Sequence, residues 1–107
     1  NTKTMQKTLI KYIRNKKGQP RGVVVALRDN NEVCYGYSIC NPIDPWNKHK
    51  GLKIAIARAL AREYELPQAE NTNKQIMEGY ANLSKRAVNY FKDLPKDKVE
   101  FDSFEII

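Results

Sequence analysis

Between Asn41 and Lys50 the chain gathers groups that rarely stand together. Asn41, the only tryptophan (Trp46), the only histidine (His49) and two lysines, Lys48 and Lys50, fall within ten residues. Pro42 and Pro45 stand three apart just ahead of the tryptophan, and Arg58 and Arg62 follow at helical spacing. A tryptophan ring offers a plane for stacking a base, lysine a point charge, and arginine a planar fork that matches phosphate. A helix start adds oriented backbone N–H groups. The set suits an anionic ligand that carries a ring. The plain alternative for Trp46 is a plug packing the loop onto a sheet. For Arg58 and Arg62 it is a solvated helix flank with ion pairs to Glu63 or Glu65.

Catalysis finds less support. The chain has no GxxxxGK[ST], GxGxxG, HExxH or GxSxG pattern. His49 stands between Lys48 and Lys50, with no carboxylate close in sequence to orient it as a base. Asp29, Glu32 and Asp44 are scattered through turn-like stretches, where acids ordinarily make local hydrogen bonds. Cys34 and Cys40, the two cysteines, lie about 20 Å apart if one strand carries both, too far for a disulfide without a bend. They read as free thiols, and no Cys/His metal spacing exists. No catalytic residue, metal or cofactor is expected.

The elements that position these groups follow from periodicity. Lys7–Arg14 alternates Leu9, Lys11 and Ile13 against Ile10 and Tyr12. Arg21–Asp29 is rich in β-branched residues, and Glu32–Cys40 is again β-prone. Tight turns at "NKKGQP" and "DNN" make the three an antiparallel meander. Gly36 inside the third run predicts a bulge or a close backbone approach. Pro42 and Pro45 stop the sheet. Asp44–Pro45 fits an N-cap and first helical position, although the helix pattern is plain only from Leu52. There Leu52, Ala55, Ile56, Ala59 and Leu60 form a core stripe, with Ile54, Ala57 and Ala61 a second stripe of mostly small residues.

Thr72 and Gln75 fit a capping box opening a second helix over 73–93. Two of its rows are apolar: Ile76, Tyr80, Leu83, Ala87, Tyr90 and Leu94, and beside them Met77, Ala81, Ser84, Val88 and Phe91. Such a face is wider than a coiled-coil seam. Together with the Ile54, Ala57 and Ala61 stripe it offers more apolar surface than a three-stranded sheet is expected to cover, so a homo-oligomer is expected. Pro95 ends the helix, and Val99–Ile106 alternates as an edge strand would. The fold class is α+β: a meander, two helices and an optional last strand, in one domain over 1–107.

Net charge is +7 and very unevenly placed. Through Arg62, thirteen Lys/Arg face three acids (+10); from Glu63 onward, six face nine (−3). A basic surface draws phosphates from a distance. No apolar run nears the roughly 20 residues a bilayer needs, and the first residues lack a signal-peptide core. The expectation is a soluble, intracellular protein that makes no membrane contact.

Tyr35–Ala59, "YGYSICNPIDPWNKHKGLKIAIARA", resembles a pattern of small phage proteins. In that pattern a strand ending Ser-x-Cys-Asn-Pro-x-Asp leads to an aromatic, basic residues, Gly, then Ile-Ala and Arg-Ala. It is similar to the phage Thoeris anti-defence sponge proteins of the first type, over about a quarter of the chain. The resemblance implies a sheet followed by two helices. It also implies a non-enzymatic protein of the host bacterial cytoplasm that sequesters anionic cyclic nucleotide signals, glycocyclic ADP-ribose isomers and in some members cyclic trinucleotides. Dimers or hexamers with pockets at subunit contacts are implied as well. By motif position, helix-borne arginines and a stacking aromatic carry over to Arg58, Arg62 and Trp46, the last standing where phenylalanine is expected. The rival readings are a basic nucleic-acid- or protein-binding module, such as an anti-CRISPR inhibitor, and a small nuclease or phosphodiesterase.

Overall fold

The computed structural model describes residues 8–41, 43–63, 70–92 and 94. Three strands, β1 (Thr8–Arg14), β2 (Pro20–Asp29) and β3 (Glu32–Ile39), form an antiparallel sheet in the order β1-β2-β3. Two helices follow, α1 (Lys48–Ala61) and α2 (Glu70–Tyr90). This is the expected α+β meander followed by helices. The proposed last strand at 99–106 and the helix-ending role of Pro95 lie outside the described residues.

Each helix covers a different face of the sheet. Val23, Val25 and Leu27 of β2 and Cys34 of β3 point toward Ala55 and Ala59 of α1. Val24 and Ala26, with Leu9, Ile13, Val33, Tyr35 and Tyr37, point toward Ile76, Tyr80, Leu83, Ala87 and Phe91 of α2. Side chains alternate across a strand, so β2 is buried on both faces: residues 23–27 are fully shielded from solvent. A strand covered on both sides reads as a continuous apolar run, and "VVVAL" is one. The second face thus takes up the surplus apolar surface of α2. Of the residues assigned to the apolar stripes, Leu60 (41% exposed) and Tyr90 (43%) face solvent instead, as do the small Ala57, Ala61 and Ala81.

Gly36 shows the close approach its position suggested, and the β2–β3 register runs unbroken past it, with no bulge. A side chain there would collide with the Ala55 carbonyl oxygen and stand 2.7 Å from the Ala59 backbone nitrogen. The backbone of α1 therefore rests on the backbone of β3. Only small residues on both elements permit this, which explains Ala55 and Ala59 in the stripe.

Two boundaries differ from the sequence reading. Helix α1 starts at Lys48, and its cap is Asn47, whose Oδ1 accepts the Lys50 N–H at 3.0 Å. Asp44 does not cap it. An N-cap residue's carbonyl oxygen accepts the first helical bond, but that of Asp44 accepts from Arg21 instead, at 3.0 Å. Helix α2 begins at Glu70, so Thr72 lies inside its first turn rather than capping it.

Candidate functional site

The linker from β3 to α1 is fastened to β2. Cys40 N–H donates to the Arg21 carbonyl oxygen at 2.8 Å, extending the ladder by one pair. The Arg21 guanidinium then reaches over the linker, and its Nη2 donates to the carbonyl oxygens of Asn41 (2.7 Å) and Asp44 (3.0 Å). Asn41 closes the turn from within: its Oδ1 accepts the Ile43 N–H, and its carbonyl oxygen accepts the Asp44 N–H. The Cys40 thiol lies 3.4 to 3.6 Å from the carbonyl oxygens of Asn41, Asp44 and Pro45. The loop is held by these bonds as well as by the fixed φ of Pro45.

Trp46 leaves this loop and folds back onto the start of α1. Its ring lies directly against Gly51, where a Cβ would stand 2.5 Å from the ring edge. The Tyr12 ring meets it edge-on, centroids 6.4 Å apart. Trp46 is half-buried and belongs to the core under α1. The same residue also lines an open pocket of about 540 Å³ with Ser38, Asn41, Asp44, Asn47, Lys50 and Ile54. It therefore packs the loop onto the core and faces the pocket at once.

Of the seven residues singled out in the sequence, three line this pocket: Asn41, Trp46 and Lys50. Lys48 and His49 are exposed on the same first turn but do not line it. Arg58 and Arg62 stand about 12 and 18 Å beyond Lys50 along the helix, at about 1.5 Å per residue. Arg58 shares the row of Lys50 and Ile54. It lies over the Tyr37 ring, 4.8 Å from the centroid, and its Nη1 donates to the Tyr37 carbonyl oxygen at 3.0 Å. Arg62 ends the helix in a left-handed cap (φ 56°) and turns to the β2–β3 hairpin. It pairs there with Glu32 at 2.9 Å and Asp29 at 3.2 Å, and the Glu32 hydrogen bond is the main cause holding its pKa above the ordinary value. The flanking ion pair is thus present, with hairpin acids as partners.

The lining itself carries one charge of each sign, Lys50 and Asp44, and the positive excess lies beside it on the first turn of α1. The first turn of α1 carries Lys48, His49 and Lys50 and no acid, although the partial positive charge of a helix N-terminus favours acids there. Asp44 is the single carboxylate in the lining. Among the described residues no cluster of His, Cys, Asp or Glu is arranged to hold a metal ion, and no helix is long and apolar enough to cross a membrane. Cys34 and Cys40 are both free thiols.

Arg21 was missed, yet a signal existed. A two-residue turn at Asn30–Asn31 pairs Asp29 with Glu32, and counting back along the ladder brings Arg21 opposite Cys40. Ile43, 87% exposed at the rim of the loop, was also passed over. No protein-family model, curated protein or solved structure matches the chain.

Proposed function

We propose that this chain binds a small anionic cyclic nucleotide at the mouth of α1 and holds it without breaking a bond, a sponge for a signalling molecule. The observation that carries the reading is the pocket itself. The only tryptophan and Lys50 line it, at a helix start bearing three basic side chains and no acid. Basic groups at the positive end of a helix cost a few tenths of a kcal/mol each, and a bound anion offsets that cost. The fastened loop adds preorganisation, so little freedom is lost on binding. The resemblance over Tyr35–Ala59 supports the same ligand class and an oligomer. The exposed row of Ala57, Leu60 and Ala61 gives an oligomer a surface.

Trp46 supplies its own probe, because no other tryptophan contributes fluorescence. Titration with glycocyclic ADP-ribose isomers and with cyclic trinucleotides is expected to change its emission. Lys50→Ala weakens the binding by about tenfold, while Arg62→Ala leaves it unchanged. The ligand is recovered intact after the protein is denatured. Unchanged emission together with no heat of binding in calorimetry overturns the reading, and recovery of a cleaved product replaces it with catalysis. Affinity that falls steeply with salt for any polynucleotide, in the manner of many released counterions, replaces it with a nucleic-acid module. Light scattering that returns 12.4 kDa removes the oligomer.

A further inference from the structure

A second pocket, of about 430 Å³, opens where the end of β3 meets the β1–β2 hairpin and the first turns of α2. Its wall at Ile39 and Cys40 is shared with the pocket at α1. Two arginines, Arg14 and Arg21, line it together with Asn15, Gln19, Thr72 and Gln75. None of its lining residues is a carboxylate. Arg14 spends one Nη1 hydrogen bond on the Gly18 carbonyl oxygen at 2.9 Å, which anchors the side chain on its own hairpin. Arg21 commits Nη2 to the loop carbonyls, which orients the guanidinium and leaves Nε and Nη1 without an ion-pair partner among the described residues. Two arginines, the Thr72 hydroxyl and the Gln75 amide line one concave surface, a donor set that suits phosphate, while the Asn15 and Gln19 amides bond to each other and the Arg14 guanidinium also lies 5.9 Å from the Tyr12 ring centroid.

We propose that this pocket is a binding site for a phosphate-bearing small molecule, with Arg14 and Arg21 holding the phosphate oxygens and the Thr72 hydroxyl and Gln75 amide at its rim. It stands independently of the reading given for the pocket at α1, since the two share a wall but no cation. Arg21 links them physically: the side chain that faces the anion here also fastens the loop that carries Asn41 and Asp44 there.

The probe is inorganic pyrophosphate, titrated calorimetrically at fixed ionic strength into the full chain and into Arg14→Ala, Arg21→Lys and Lys50→Ala. Arg14→Ala is expected to weaken binding about tenfold or more, the loss of one hydrogen bond to a charged group. Arg21→Lys, which keeps the charge but not the fork, weakens it as well, while Lys50→Ala removes only a binding event at the α1 pocket and leaves the Arg14-dependent event in place. Thermal melts confirm that each variant is folded, and Arg14, exposed on its hairpin, is the substitution the fold tolerates best. No binding at millimolar pyrophosphate overturns the proposal. So does binding that Arg14→Ala does not affect, or that Lys50→Ala abolishes, because the anion then sits at α1.

Discussion

Gly36 and Gly79 each let a helix settle on the sheet, but onto different material. Gly36 meets the backbone of α1 at Ala55 and Ala59, whereas Gly79, in α2, meets the side chain of Val24. The α1 face is thin at its centre, where Ala55 and Ala59 lie over Val23, Val25, Leu27 and Cys34, and its larger side chains, Tyr12, Trp46, Leu52 and Ile56, are only partly buried. The α2 face is thick and built from Ile76, Tyr80, Leu83 and Phe91 around Tyr35. Even the sheet edges are treated in parallel. Arg58 of α1 takes the Tyr37 carbonyl oxygen on β3, and Arg86 of α2 takes that of Ile10 on β1, at 3.4 Å. Outward carbonyls of edge strands invite further pairing, and each helix donates one arginine against it. The difference between the faces teaches a division of labour. The thick face supplies apolar burial, while the thin face fixes where the first turn of α1 and its pocket stand.

The comparison breaks most directly at Leu83, fully buried on the thick face. Leu83→Ala is expected to cost about 3 kcal/mol in chemical denaturation, within the range for buried leucines. A loss under about 1 kcal/mol would deny α2 its anchoring part. Gly36→Ala comes next. It must push backbone off backbone, so about 2–3 kcal/mol is expected, the upper part of the overpacking range. Gly79→Ala presses on one valine and gains helix propensity of about 1 kcal/mol in return, so its net loss should be clearly smaller. Equal losses for the two glycines would erase the distinction between the faces.

Trp46→Ala sharpens the role of the thin face. A half-buried ring should cost about 2 kcal/mol, less than the roughly 3–5 kcal/mol of a fully buried aromatic. Binding at the α1 pocket should fall in the same variant, read by calorimetry since the fluorophore is gone. The smallest effect expected belongs to Cys34, beneath α1. Burial, opposed by Arg62, raises its thiol pKa above the ordinary 9.0, with smaller upward pushes from Asp29 and Glu32. A raised folded-state pKa favours folding while the thiol is protonated, and that contribution is lost as pH rises above 9.0 through the folded value. Denaturation midpoints measured from pH 8 to pH 10.5 should therefore drop less in Cys34→Ala than in the wild type. A steeper drop in the variant would contradict the sign.

Residue order alone determined the elements. Alternation in "KTLIKYIR" and "EVCYGYSIC", the apolar run "VVVAL" and the i, i+3, i+4 spacing after Leu52 and Ile76 are local signals, and local backbone preference follows them. Gly36 was legible in part: a glycine inside a strand allows a bulge or a close neighbour, and the packing of α1 decides for the neighbour. The part of the site around Asn41, Trp46 and Lys50 was legible because contiguity in sequence kept it together. What lay beyond local reach was decided by the tertiary structure. Which face each helix covers depends on how the chain crosses the sheet, and periodicity is identical for either choice. Arg58 and Arg62 carry the same charge and share one helix flank, yet one lies on a tyrosine at the sheet edge and the other on two hairpin acids. The choice of Asn47 over Asp44 as cap was likewise made at a distance. Arg21, twenty-three residues away, claims the Asp44 carbonyl oxygen that a helix starting there would have needed.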